Sequence, residues 1–390
     1  MKNGFKVLDS DLHTMEPDGL WEQYLDEPLK KFAPRFTRRE DHAPNQPVIR
    51  IGDLELAEFS KRPRTALVGK SLHQRSFARH PHYAVAHARG YDSQTHLQAM
   101  DIEGIDVAVI YGTRGRQVLM HDDHDPTVAA ALARAHNDWT RDFCAVNPQR
   151  LKFAAQLAFH DIPSAVAEAR RAVRELGAIA VIANPNPING RHIHDPAFEP
   201  LWDAVEELGV PVGFHPTGQS SLRDDIARRY VDTPNGRVIG VAGRNPIELM
   251  MAFGSLAAGG VLERHPRLRC AFLEGTCGWL PWWLWRLDEA WEKFGPGSEV
   301  QISKLPSEYF FRQCYVATDA DEKPLRQVVE AIGDDNIVVS TDYPHSDGLF
   351  PVAIEEFVHL EGVSDKTKAK ILWDNCARLY NLTAEPSPST

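Results

Sequence analysis

The chain has 390 residues, 43% of them hydrophobic and 25% charged, with Lys+Arg 43 against Asp+Glu 54 and a formal net charge of -11. This is the composition of a folded protein with apolar material for one large core or two smaller ones. The acidic balance leaves no basic excess to neutralise a phosphate backbone, so nucleic acid is not an expected partner.

The opening MKNGFKVLDSD carries acidic residues where an export signal needs a continuous apolar stretch. Apolar runs such as GAIAVIA at 177–183 and WLPWWLW at 279–285 are too short to cross a bilayer. A soluble, cytoplasmic protein with no membrane partner is expected. Cys144, Cys270, Cys277, Cys314 and Cys376 are scattered and show no C-x-x-C spacing, so neither a disulfide framework nor a zinc ribbon is indicated.

Eight short apolar runs follow one another: 5–11, 105–113, 151–159, 178–183, 210–215, 268–274, 314–318 and 336–341. Most are continuous and do not alternate, the pattern of parallel strands covered on both faces. Helical patterns fall between them at 93–104, 127–147, 162–177, 198–209 and 323–333, several stopping at Gly. The alternation predicts a (β/α)8 TIM barrel, with an open doubly wound sheet as the competing α/β arrangement. One barrel domain is expected over 1–382. The long stretch 18–95 reads as an insertion that covers the barrel mouth and lacks apolar segments for a core of its own. Residues 383–390 read as a flexible tail.

In such a barrel the chemistry sits at the carboxyl ends of the strands. Here those ends carry Asp11 and His13, then His215, Glu274, Asp319 and Asp342, each able to ligate a metal or move a proton. Asp11 and His13 are two apart, so a strand points both to one side.

The blocks DSDLHTMEP, GVPVGFHP, RHPRLRCAFLEGTCGWLP and IGDDNIVVSTDYPHSDG, in this order, resemble the signature segments of the amidohydrolase superfamily, in its aminocarboxymuconate-semialdehyde decarboxylase-like branch. The likeness extends to 136–155 and 184–209, and so to most of the chain outside the insertion. It implies one divalent metal held by Asp11, His13, His215 and Asp342, with Asp342 and His215 as catalytic groups; Glu274 is expected beside them as a catalytic group, where it ligates the metal, orients a ligand or pairs with a buried Arg. Two departures stand out. The first-strand motif is Asp-x-His where many members have His-x-His or Glu-x-His, and Glu274 stands where many have His. The fourth strand ends in AIAVIANPN, with no Lys for a carbamate-bridged metal pair. The oxygen-rich donor set suits zinc, the first expectation, but also manganese or iron.

Other residues have plainer readings. Asp9 is expected to support the strand rather than ligate, and Asp342 and His345 also fit a turn. His160 and Asp319 either line the pocket or are satisfied locally. Arg114, Arg116, Arg191 and Arg244 either clamp a substrate carboxylate or sit on the surface. Trp279, Trp282, Trp283, Trp285 and Trp291 pack a helix on the barrel or a subunit interface, which favours a homodimer or larger assembly. The resemblance implies a metal-dependent hydrolase or non-oxidative decarboxylase acting on a small carboxylate-bearing molecule, with Asp342 as general acid/base. An oxygen-activating iron or manganese hydroxylase and a non-catalytic partner subunit remain the alternatives.

Overall fold

The structure is a computed structural model and describes residues 1–38, 47–56, 80–119, 121–216, 226–230, 233–234, 236–345 and 348–382. Eight parallel strands form one sheet: β1 (Leu8–Thr14), β5 (Val107–Gly112), β6 (Leu151–Gln156), β7 (Ala180–Ala183), β8 (Val212–Phe214), β9 (Cys270–Phe272), β10 (Cys314–Asp319) and β11 (Ile337–Ser340). They neighbour one another in chain order. The ends of the sheet meet, because Ser10 Oγ donates to Val339 O and His13 N to Tyr343 O at 2.7 Å. The result is the α/β TIM barrel, with helices between the strands.

Strand residues divide into two layers, which explains the unbroken apolar runs. Leu8, Val109, Tyr111, Ala154, Ala180, Ile182, Ala271, Ala317 and Val338 fill the barrel interior, while Ile110, Phe153, Val181, Phe214, Phe272 and Val339 face the helices. The inner layer mixes large and small side chains. Tyr111 fits because β8 offers Gly213 beneath it: a Cβ there would lie 2.5 Å from the Tyr111 hydroxyl. That hydroxyl meets Tyr380 OH at 3.1 Å, so the end of helix Asn375–Leu379 braces the barrel interior. Helix starts follow their acidic caps, with Asp92, Asp125 and Asp161 accepting from main-chain N–H groups of the first turns of helices 93–103, 126–144 and 162–174.

The segment after β1 has regular structure that its sequence pattern does not announce. It contains a three-stranded antiparallel sheet, β2 (Arg35–Arg38), β3 (Pro47–Ile51) and β4 (Leu54–Leu56). Leu20, Trp21, Leu25, Ile49 and Ile51 pack with Val118, Leu119, Val128 and Leu132 in a separate apolar cluster. Its few apolar residues cannot make a core alone, and they share one with helix 126–144. Residues 39–46 and 57–79, part of the stretch read as a cover for the mouth, lie outside the described residues, as does the tail 383–390. All five cysteines are free and buried. Among the described residues no helix is long and apolar enough to cross a membrane.

Candidate metal centre

A bulge in β1 builds the site. Val7 faces the helices and Leu8 the interior, so a regular strand would put Leu12 inside and His13 outside. The pairing with β5 instead moves from Asp9 opposite Ala108 to Leu12 opposite Ile110, three steps on one strand against two on the other. The extra residue reverses the alternation: Leu12 packs outward, and Asp11 and His13 turn toward the axis.

There they meet the ends of β8, β9 and β11. His13 Nε2 lies 3.4 Å from Asp11 Oδ1 and 3.0 Å from Asp342 Oδ1. His215 Nε2 lies 3.3 Å from Asp11 Oδ2 and 3.1 Å from Glu274 Oε2. The far nitrogens are engaged elsewhere. His13 Nδ1 lies 3.1 Å from Tyr111 O, and His215 Nδ1 lies 2.8 Å from Pro216 O and also against Arg116 Nη1; with each Nδ1 donating to its carbonyl, each Nε2 lone pair faces the centre. Glu274 and Asp342 reach it from left-handed backbone, φ 53° and 57°, a conformation costly for residues with a Cβ and concentrated at functional sites.

The residues fit a cation. Both Asp11 carboxylate oxygens and the Nε2 atoms of His13 and His215 are buried without a hydrogen-bond partner. The possible ligand atoms of Asp11, His13 and His215 lie within 4.8 Å of one another, and so do those of His13, Glu274, Asp342 and His345. Burial pushes Asp11 up to about 6 and Glu274 up to about 8, the latter helped by the Asp342 charge. Burial also drives His13 down to about 4 and His215 well below the usual imidazole range, aided by His345 and Arg116 respectively. Neutral imidazoles beside carboxylates that resist ionisation form a donor set that positive charge would stabilise.

Two residues read plainly in the sequence belong to this centre. His345 Nδ1 lies 2.7 Å from Asp342 Oδ1, its ring stacks on His13 with centroids 4.1 Å apart, and its Nε2 meets Thr113 Oγ1 at 2.9 Å. Burial opposes charge on both partners, yet the pairing pushes His345 up to about 9 and holds Asp342 well below the usual carboxylate range. Arg116 is buried; its Nη1 donates to Pro216 O at 2.7 Å and its Nη2 sits 3.8 Å from Glu274 Oε2. His345 stands three residues beyond Asp342, within reach of it in a turn; Arg116 is one of four arginines that the sequence leaves between a carboxylate clamp and a surface charge.

The remaining candidates sort by position. Asp9 accepts from Asp11 N at 3.1 Å and from Thr341 N at 3.3 Å, tying β1 to the segment after β11. Asp319 lines a cavity of about 250 Å³ with Glu274, Asp342, Ser340, Thr341 and Leu349, and burial and the Glu322 charge push it up to about 7. His160 Nε2 donates to His121 O at 2.7 Å. Arg114 donates to Glu16 O and Asp18, Arg191 to His160 O, and Arg244 to Asn245, none of these contacts being with the centre's residues. Trp279 and Trp283 pack on the core, whereas Trp282 and Trp285 are exposed.

Residues 80–382 match the amidohydrolase family, more than half of the chain. The chain belongs to that family of enzymes, in its aminocarboxymuconate-semialdehyde decarboxylase-like branch. This amidohydrolase is 25% identical to 2-amino-3-carboxymuconate-6-semialdehyde decarboxylase of Dictyostelium discoideum, over 75% of this chain and 77% of that protein. It is 27% identical to gamma-resorcylate decarboxylase of Rhizobium sp. strain MTP-10005, over 74% and 86%. Its fold is shared with an amidohydrolase from Mycobacterium avium subsp. paratuberculosis K-10, with TM-score 0.76 and 23% identity over 97% and 99% of the chains. It is also shared with a dihydroxybenzoic acid decarboxylase from Polaromonas sp. JS666, solved with manganese and 2-nitroresorcinol, with TM-score 0.65 and 20% identity over 98% of each chain.

Proposed function

We propose that this amidohydrolase is a non-oxidative decarboxylase that releases carbon dioxide from a small carboxylate-bearing ring compound. Asp11, His13, His215 and Asp342 would hold a divalent ion, with Glu274 beside them. The observation that carries the reading is the convergence of orphaned, buried ligand atoms from Asp11, His13 and His215 at the barrel mouth. The named activities of the two relatives support decarboxylation over hydrolysis. When bound, such an ion supplies positive charge that holds a substrate carboxylate and an adjacent oxygen. The donor set does not single out zinc, and the manganese of the Polaromonas enzyme is compatible with it.

The chain's own residues supply the rest. The cavity of about 250 Å³ admits a single ring, since roughly 150 Å³ holds benzene. Its carboxylates would repel an anionic substrate, and the buried Arg116 cation works against that repulsion. His345 keeps a proton on Nδ1, 2.7 Å from Asp342 Oδ1. The proton passes to Asp342 and on to the ring carbon. The bond to the carboxylate carbon then breaks, its electron pair stays with the ring, and carbon dioxide leaves. The protein would work in the cytoplasm on a small-molecule substrate and assemble as a homodimer or larger through the exposed Trp282 and Trp285.

The test is carbon dioxide release from 2,6-dihydroxybenzoate and related ring carboxylates by enzyme loaded with manganese or zinc, alongside elemental analysis. Asp342→Asn is expected to lose roughly 10²- to 10⁴-fold in turnover. Full turnover by that variant would overturn the reading.

A further inference from the structure

The strands β6 and β7 bring a different chemistry to the mouth. Gln156 continues the inward register of Ala154, and Asn184 that of Ala180 and Ile182. Ala183 lies opposite Phe214 and accepts from His215 N at 3.0 Å, so Asn184 is level with His215. Gln156 lies opposite Ile182, one layer lower. Both amides are buried, with 1% of Gln156 and 3% of Asn184 exposed. Yet Asn184 Nδ2 and Oδ1 and Gln156 Nε2 have no hydrogen-bond partner. The same holds for Asn186 Nδ2 and His160 Nδ1, in the loops after these two strands.

The main chain here is well fixed. Asn137 Nδ2 donates to Gln156 O at 2.9 Å and Asn137 Oδ1 accepts from Gln156 N at 2.8 Å. The strand is thus pinned from the helix side while the amide Nε2 of Gln156 faces the interior without a partner. Buried polar atoms without partners are rare in folded proteins and costly where they occur. Their chemistry says what would satisfy them. Asn184 lacks both a partner for its donor and one for its acceptor. A carboxylate only accepts and an ammonium only donates, whereas a hydroxyl does both.

We infer that Asn184, supported by Gln156, is a specificity contact for a neutral hydroxyl, phenolic or enolic, carried by the substrate next to the group held at the metal centre. The inference rests on the decarboxylase reading only for where the substrate's carboxylate lies. Removing these amides changes which ring compounds bind and leaves the cation ligands in place.

The experiment measures dissociation constants of manganese-loaded enzyme for 2,6-dihydroxybenzoate and 2,6-difluorobenzoate, which matches it in shape but has no hydroxyl to donate. In Asn184→Leu the preference for the dihydroxy compound is expected to drop fivefold to tenfold, with the difluoro affinity changed less than threefold and metal content unchanged. Gln156→Met, close in volume, shows a smaller drop. Melting temperatures of both variants stay at or above that of the wild type, which a structural role for either amide would not allow. A preference unchanged within twofold in both variants overturns the inference, as does failure of the wild type to bind either compound. Carbon dioxide release is scored separately. A fallen preference without turnover sinks decarboxylation and keeps the contact, and turnover with an unchanged preference does the reverse.

Discussion

The two sides of the barrel mouth hold buried polar atoms without partners for opposite reasons. On the side built by β8, β9, β10, β11 and β1, the orphans that face the centre are Asp11 oxygens and imidazole Nε2 atoms, which accept when the imidazoles are neutral and protonated on Nδ1. On the side built by β6 and β7 they are the carboxamide atoms of Gln156, Asn184 and Asn186, which accept and donate, with His160 Nδ1 in the loop beyond. The first set asks for a cation and the second for a neutral group that can reciprocate. The charged side also perturbs itself: Asp11, Glu274 and Asp319 are raised, while Asp342 is held low by His345 and His13. An amide side has no such coupling, so the difference between the two can be probed by proton, metal and volume separately.

The largest effect is expected from Asp11→Ala, which removes two of the orphaned acceptors. Elemental analysis should find the metal lost, and turnover should fall roughly 10³-fold or more, whereas Asn184→Leu keeps its metal. Retention of stoichiometric metal by Asp11→Ala would break the comparison. Gly213→Ala tests the floor that both sides share. Its Cβ would press on Tyr111, and denaturant unfolding should show a loss of about 1–3 kcal/mol. The smallest effect concerns protons. Asp319 has a folded-state value raised to about 7, so its contribution to stability is fully present below about 4 and lost as pH rises through 7. After chelation of the metal, Asp319→Asn should therefore gain in melting temperature on the wild type between pH 4 and 7 and gain no more above it. A difference flat across that range would show that Asp319 does not titrate there.

Much of the charged side was legible in the sequence, because barrel chemistry gathers at strand ends and Asp11, His13, His215, Glu274 and Asp342 stand at such ends. The apolar runs likewise fixed the strands, since side chains packed on both faces leave no alternation to confuse with a surface strand. What stayed hidden depends on three dimensions. The reversal of inward and outward residues in β1 arises from pairing with β5, which no local pattern in LDSDLHT reports. Arg116 looks like any surface charge until helix 114–119 buries it. Gln156 and Asn184 are unremarkable letters, and only the lack of partners around them gives them meaning. The β2–β4 sheet was missed because its apolar residues borrow their neighbours from helix 126–144.

The β1 bulge means that this centre depends on how many residues the strand contains as much as on which ones. Shortening that strand by a single position would swing the aspartate and histidine toward the helices and Leu12 into the pore, with every ligand still encoded. Among relatives, gaps and insertions at this one place would therefore separate working centres from silent ones more sharply than any exchange of side chains.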